Sequence, residues 1–411
     1  MRLLSLRWLE GVYEIRGAPA HLHRDRLHPK HRDVFRKHTL ALTIMVVATF
    51  HSATSGQVKP ATVTSLRLIG SAHLPGNTVA SGPLVGGLSS LDYDAAADRW
   101  LAVSDDRSDH APARYYTLRI DYSSDGVRGM AVERATFFRQ ENGTLYPNGR
   151  DVVSAGGEVP DCEALRIDPR DDTLWYTSEG DGTRRTDPWV RHTKRDGTFL
   201  GSMPLPALFK FDPAGRVGAR PNLNFEGLSF TPDGENLWLA MEAPLVQDGA
   251  LPSGEAGANV RFTLLSRRGE IRRQVVYPID ESYLRPAPGK LASNGVSEAL
   301  AVSEKDLLVL ERAGAQRSNG DWHFGVRLYL ADVSTATDIK AVKSLGDAAY
   351  EPARKKLLID FLKLLPGGVD NLEGLAWGRK LPNGHATLLV ISDDNFVPYQ
   401  VTEVHVFEII P

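Results

Sequence analysis

Residues Glu226–Glu242 read EGLSFTPDGENLWLAME. Two short apolar runs, EGLSF and NLWLAME, flank Thr231-Pro232-Asp233-Gly234. Pro presets one backbone angle of a tight turn and Gly supplies a left-handed one, so the stretch reads as a β-hairpin. Two more strand-like runs follow, VRFTLLS and IRRQVVYPI, around Arg268-Gly269-Glu270. Together they predict one four-stranded antiparallel unit.

The unit recurs. Ser89–Asp106 (SSLDYDAAADRWLAVSDD), Glu163–Glu179 (EALRIDPRDDTLWYTSE), Glu298–Glu311 (EALAVSEKDLLVLE) and Glu373–Asp394 (EGLAWGRKLPNGHATLLVISDD) share its order of residues. Successive starts lie 74, 63, 72 and 75 residues apart. That period is too long for a solenoid repeat and suits a four-stranded propeller blade with long loops. The fourth unit continues weakly through Lys355–Leu362, as strand or short helix. The fifth shows one further strand, Thr402–Ile410, and lacks its last. Val63–His73 (VTSLRLIGSAH), at the opposite end of the chain, supplies it and closes the ring without an open sheet edge. The predicted fold is an all-β propeller of five blades, with a sixth blade lacking the motif as the alternative. Similar copies with the same acidic ends argue against hairpins arrayed in a β-sandwich.

In each unit the first residue of strand one and the last of strand two are usually acidic. Hairpin pairing makes these positions neighbours at one sheet edge, and the innermost strands of a propeller start at one mouth of its channel. Glu163, Glu226, Glu298 and Glu373 are therefore expected there, with Ser89 in the fifth place and Asp105, Glu179, Glu242, Glu311 and Asp393 behind them. So many carboxylates repel unless something offsets them. Arg107, Arg312 and Asn395, each directly after a second-strand acid, can tie the ring internally. Alternatively hard cations bind, since Ca²⁺ takes six to eight oxygen ligands. A third reading makes each Glu a cap for backbone N–H groups in its own blade corner. Arg220, immediately before the third unit, is the best placed of the loop arginines to meet an anionic substrate.

Composition narrows the function classes. The chain has 411 residues, 48 Lys/Arg against 51 Asp/Glu, and a net charge of −3, which offers no electrostatic footprint for nucleic acid. A single Cys excludes a disulfide framework and multi-thiolate metal sites. The six histidines after residue 57 are scattered, against a His-rich metal site. No nucleophile elbow, S-x-x-K, H-E-x-x-H or P-loop occurs.

The first residues form a different text. Arg36-Lys37-His38, the apolar run 39–50 (TLALTIMVVATF) and a small-residue stretch make a secretory signal peptide, too short to span a bilayer as a mature helix. Residues 1–57 are read as an N-terminal extension plus signal peptide, with Val34 as an alternative start, and 58–411 as a single propeller domain. Removing 1–57 takes nine Lys/Arg and four Asp/Glu, leaving 39 basic and 47 acidic residues and a net charge of −8. The expected product is exported, periplasmic or secreted, acidic, and without a membrane span. No apolar stripe demands an oligomer.

Several runs resemble the phytase-like domain family, "esterase-like activity of phytase". They are GGLSSLDYD (86–94), WLAVSDDRSD (100–109), EALRIDPRDDTLWYTSEGD (163–181), NFEGLSFTPDGENLWLAMEAPLVQDG (224–249), NGVSEALAV (294–302), LLVLER (307–312), DNLEGLAW (370–377) and ISDDNF (391–396). Asp161-Cys162-Glu163-Ala164 departs from a D-x-E-G form but keeps the Glu. The resemblance implies an exported propeller and a Ca²⁺-dependent phosphoesterase acting on a small phosphorylated molecule. On that reading Glu163, Glu226, Glu298 and Glu373 with Glu179, Glu242, Glu311, Asp105 and Asp393 hold the metal. A bound water attacks phosphorus, and Arg220 and Arg312 neutralise the phosphate. Two other readings stand beside it: a metal-dependent lactonase or carboxylesterase, and a non-catalytic binding propeller whose acidic ring is structural.

Overall fold

The computed structural model describes residues 62–148, 158–182, 184 and 186–411. The reading of residues 1–57 as extension and signal peptide lies outside the described residues. Among the described residues no helix is long and apolar enough to cross a membrane.

The chain enters through β1 (Ser65–His73) and then lays down blades in order. Blade 1 is β2 (Leu88–Asp94), β3 (Arg99–Ser104), β4 (Arg114–Ser123) and β5 (Gly126–Phe137). Blade 2 is β6 (Leu165–Ile167), β7 (Leu174–Ser178), β8 (Trp189–Thr193) and β9 (Phe199–Ser202). Blade 3 is β10 (Phe225–Phe230), β11 (Asn236–Met241), β12 (Ala258–Ser266) and β13 (Ile271–Ile279). Blade 4 is β14 (Ala292–Ala301), β15 (Asp306–Gln316), β16 (Trp322–Asp332) and β17 (Arg354–Asp360), followed by one helical turn, α1 (Phe361–Leu364). Blade 5 is β18 (Asn371–Trp377), β19 (Thr387–Asp393) and β20 (Glu403–Ile410), completed by β1. Strand β1 pairs antiparallel with β20 from Ser65↔Ile410 to His73↔Glu403. The expected five blades and their closure by the N-terminal strand are both met. The ambiguous Lys355–Leu362 stretch is strand first and helical turn after.

Apolar clusters between the blades hold the ring. One joins blades 1 and 2 through Leu101, Tyr115, Phe138 and Tyr176. A second runs through blades 2, 3 and 4, with Trp175, Trp238, Phe262 and Val309. A third joins blades 4 and 5 around Leu308, Phe361 and Trp377, and a fourth joins 5 and 1 around Trp100, Tyr122 and Ile391. Each fully buried side chain of this kind stabilises by about 1.5–3 kcal/mol. Every blade therefore packs on both neighbours, and β1 adds Ile69 and Ala72 to the edge of the last interface.

The inner strands β2, β6, β10, β14 and β18 circle the axis closely. A Cβ on Gly227 would lie 2.6 Å from the Ala299 backbone nitrogen, and one on Gly374 would lie 3.0 Å from the Ser90 Cα. The glycine of the E-G-L motif is thus what lets adjacent inner strands approach at the channel.

Candidate active site at the channel mouth

A β-bulge near the start of the inner strand aims the motif acids. The pairing register skips Ser89 in blade 1, Glu226 in blade 3 and Glu373 in blade 5. A bulge leaves one residue unpaired and redirects its side chain. Opposite, the second strand delivers Asp105, Glu242 and Asp393. Their places are fixed by Asp105 N–H donating to Gly87 O (2.9 Å), Glu242 N–H to Asn224 O (2.7 Å), and the pairing of Asn371 with Asp393. In blade 2, Glu179 N–H donates to Asp161 O at 3.0 Å, so Glu163 and Glu179 hold the equivalent positions.

The result is a nest of eight carboxylates in three groups whose oxygens lie within 4.8 Å of one another: Asp105–Glu373–Asp393, Asp161–Glu163–Glu179 and Glu179–Glu226–Glu242. Among the described residues two guanidiniums enter it. Arg107 pairs with Asp161 at 2.5 Å and also donates to Asn222. Arg312 bridges Glu373 and Glu242, the latter at 3.2 Å, and donates to Asn371 Oδ1 at 2.8 Å. Asn371 Nδ2 donates to Glu373 (2.9 Å) and Asp393 (3.3 Å), and Asn395 N–H donates to Asp393 at 2.8 Å. The expected internal ties through Arg107, Arg312 and Asn395 are present. They are too few for the charge they meet.

The surplus appears in the proton affinities. Burial, then the neighbouring carboxylates, push Asp105, Glu163, Glu179, Glu226 and Asp393 well above the usual carboxylate range. Burial raises Glu242 to about 7, with Arg312 opposing, and raises Glu373 and Asp161 against the pull of Arg312 and Arg107 respectively. The guanidiniums of Arg107 and Arg312 are likewise held more firmly protonated, by the acids around them and in spite of burial.

Blade 4 departs from the pattern by one residue. Its register skips Ser297, not Glu298, and pairs Val296 with Glu311 and Gly295 with Arg312. Ser297 therefore takes the motif-Glu place and Arg312 takes the second-strand acid place. A one-residue shift sends each side chain to the opposite face, and two of the expected ring acids leave the nest. Glu298 is fully buried and reaches across the ring to Arg166 of β6 (2.5 Å) and Ser90 of β2 (3.3 Å). Glu311 turns outward to Lys355, the Tyr277 hydroxyl (2.7 Å) and Asp280 N–H (3.1 Å). Gly295 accommodates the arrangement, since a Cβ there would lie 2.6 Å from Glu242 Cγ.

Arg220 does not enter the nest either. Its guanidinium donates to the backbone carbonyls of Pro244 (2.9 Å) and Gly249 (2.7 Å). Arg114 and Arg261 are likewise committed, to Asp106 and Asp248. The residues that sequence reasoning underweighted are Asp161, Asn224 and Asn371, each two positions before the bulged Glu. The spacing D/N-x-E carried that signal.

The donor set suits a hard divalent cation. The Glu179–Glu226–Glu242 group is all oxygen, and beside it Asn224 is fully buried with an Oδ1 that finds no hydrogen-bond partner among the described residues. Asn224 N–H donates to the Glu179 carboxylate and its Nδ2 to the Glu179 carbonyl at 3.1 Å, which fixes the amide against this group. A separate group, Asp168–Asp171–His192, lies outside the nest, and there Asp168 is already neutralised by Arg267.

Fold and site together define a five-bladed propeller with a buried acidic nest at one channel mouth. The chain belongs to the phytase-like family described as "esterase-like activity of phytase", whose family model matches residues 83–396. No curated protein matches the sequence. Among solved structures, an α-L-arabinanase from Penicillium chrysogenum complexed with arabinobiose is similar, with 12% identity, 80% of each chain covered and a TM-score of 0.35. A thermostable family-43 glycoside hydrolase shows 10% identity over 82% of this chain and 92% of its own, TM-score 0.40. The periplasmic gluconolactonase of Pseudomonas aeruginosa shows 15% identity over 82% of this chain and 92% of its own, TM-score 0.32.

Proposed function

We propose that the protein is an exported, Ca²⁺-dependent phosphoesterase that hydrolyses a small phosphorylated molecule at the channel mouth. The observation that carries this reading is the mismatch, among the described residues, between eight carboxylates gathered in three close groups, seven of them buried, and two guanidiniums. An isolated buried charge is costly, so such a nest needs protons or cations, and cations are the partners that do chemistry. Glu179, Glu226 and Glu242 with Asn224 Oδ1 would hold one ion, and Asp105, Glu373 and Asp393 a second. Bound calcium supplies an acidified water and a polarised phosphoryl oxygen.

The chain's own residues do the rest. Arg312 orients Glu242 and Glu373 by holding one oxygen of each. Arg107, whose side chain is 47% exposed, presents positive charge at the rim where a phosphoryl group arrives. Glu163, whose proton affinity burial raises ahead of the acids around it, is the group that can give a proton to the leaving oxygen.

The test is metal analysis of the purified protein, with hydrolysis of a phosphoester and lactone panel in the presence of calcium or EGTA. Calcium in stoichiometric amount and phosphoester turnover abolished by EGTA are expected. Glu226→Gln is expected to lower kcat/KM about 100-fold or more. Phosphoester turnover indifferent to EGTA overturns the reading. Lactone turnover alone would replace the substrate class, and calcium binding without any turnover would make the nest structural.

A further inference from the structure

Beside the nest lies a cavity of about 790 Å³, within the size range of small-molecule sites. Phe211, Pro221, Leu223, Val246 and Leu251 line it, with Arg220. These residues, with Gly182 and Asp187, come from three loops, β7–β8, β9–β10 and β11–β12. Each of those loops has one acid of the Glu179–Glu226–Glu242 group at its root. Glu179 and Glu242 directly follow β7 and β11, and Glu226 is the second residue of β10. The cavity therefore opens between blades 2 and 3 on the sector of the mouth that carries this carboxylate group.

The wall is built rather than incidental. Val246 N–H donates to Gly218 O at 3.0 Å and Gly218 N–H donates to Gln247 Oε1 at 2.8 Å, which locks the β9–β10 and β11–β12 loops together. The Arg220 guanidinium clasps the same two loops through Pro244 O and Gly249 O. Asn224 Nδ2 donates to Arg220 O at 2.6 Å while its N–H holds Glu179, and Arg107 donates to Asn222. One short segment, Arg220–Asn224, thus forms cavity wall at one end and nest at the other.

The chemistry of the wall limits what enters. Among the described residues its side chains are mainly apolar, its acids are Asp187 and Asp212, and its arginine is spent on backbone carbonyls. A polyphosphorylated ring needs many free cations and would meet carboxylates here. We infer that the cavity between blades 2 and 3 receives the apolar alcohol portion of the substrate, so the enzyme prefers monophosphate esters of aromatic or bulky alkyl alcohols over polyphosphates. This rests on the phosphoesterase reading. Because burial of an apolar group is favourable whatever reaction follows, the cavity can also be tested without that reading.

The experiment compares benzyl phosphate, methyl phosphate and inositol hexakisphosphate with the full-length protein and calcium, in wild type, Leu251→Asp and Leu223→Asp. In parallel, binding of 2-naphthol to the same three proteins is followed by its fluorescence. Leu251 is 42% exposed, so its replacement does not disturb the core. Benzyl and methyl phosphate have comparably poor leaving groups, and their ratio reads the cavity. We expect wild type to favour benzyl phosphate by about tenfold or more in kcat/KM. Both variants should lose most of that preference and naphthol binding should weaken in step, and Leu251→Asp, remote from the nest, should keep methyl phosphate turnover. An unchanged ratio, inositol hexakisphosphate as the best substrate, or naphthol binding that is absent or indifferent to Leu251→Asp overturns the inference. Naphthol binding that Leu251→Asp removes, with no phosphoester cleaved at all, keeps the cavity and sinks the phosphoesterase reading instead.

Discussion

Glu226 and Glu298 come from what reads as the same motif, and both are buried near the channel, yet they have opposite surroundings. Glu226 sits on a bulge among Glu179, Glu242 and Glu373, and among the described residues no hydrogen bond is donated to its carboxylate. Glu298 sits one residue past a bulge and is matched by Arg166, which also donates to Ser90 Oγ and to the carbonyls of Leu91 and Leu165. Burial raises the proton affinity of both. For Glu298 an arginine opposes the shift, and for Glu226 the adjacent acids add to it. A buried acid with a dedicated cation braces the ring, whereas a buried acid facing other acids needs a proton or a cation to offset its charge.

That contrast can be broken most severely at Glu298. Glu298→Gln strands the Arg166 charge inside the channel and is expected to cost about 3–5 kcal/mol in chemical denaturation. Both sites should respond to pH, since burial raises Glu298 to about 7 in spite of Arg166. Glu242 has its folded value raised to about 7 against 4.5 unfolded, so its contribution is fully present below 4.5 and is lost as pH rises through 7. EGTA-treated protein should therefore lose stability on alkaline titration, by about 3 kcal/mol from this group alone. Denaturation midpoints that stay flat from pH 4.5 to 8 would contradict the surplus of charge.

Calcium should replace those protons. At a free concentration near 100 times Kd it is expected to add about 2.7 kcal/mol to wild type, read as a shift of thermal midpoint at pH 8, and markedly less to Glu226→Gln. The smallest effect sharpens the comparison from the other side. In EGTA, Glu226→Gln should leave stability within about 1 kcal/mol of wild type, because burial and the adjacent acids favour the neutral carboxyl, for which the amide is a near match. A loss as large as that of Glu298→Gln would make Glu226 a brace as well.

The blades were legible because strand, turn and strand follow local rules. Thr231-Pro232-Asp233-Gly234 announces its hairpin, and five similarly spaced copies announce the ring. Most of the nest was legible for the same reason: Asp105, Glu163, Glu179, Glu226, Glu242, Glu373 and Asp393 all occupy equivalent places in their repeats. Glu298 and Glu311 were misplaced because Val296-Ser297-Glu298-Ala299-Leu300 aligns in two ways. E-A-L matches Glu163-Ala164-Leu165, whereas the pairing of β14 with β15 sets Ser297 against Glu163. Period-two geometry turns that single residue into the difference between two faces.

Repeat spacing and turn chemistry determined by themselves a propeller with acids gathered at one end, since each of these is written locally and repeated, while the pairing of the strands settled five blades over six. Tertiary structure alone decided which acids face one another, which are answered by arginine, and that loops from blades 2 and 3 wall a cavity beside them. Those depend on a bulge, on a register one residue long and on groups meeting across the ring. No local stretch encodes the distance between two blades.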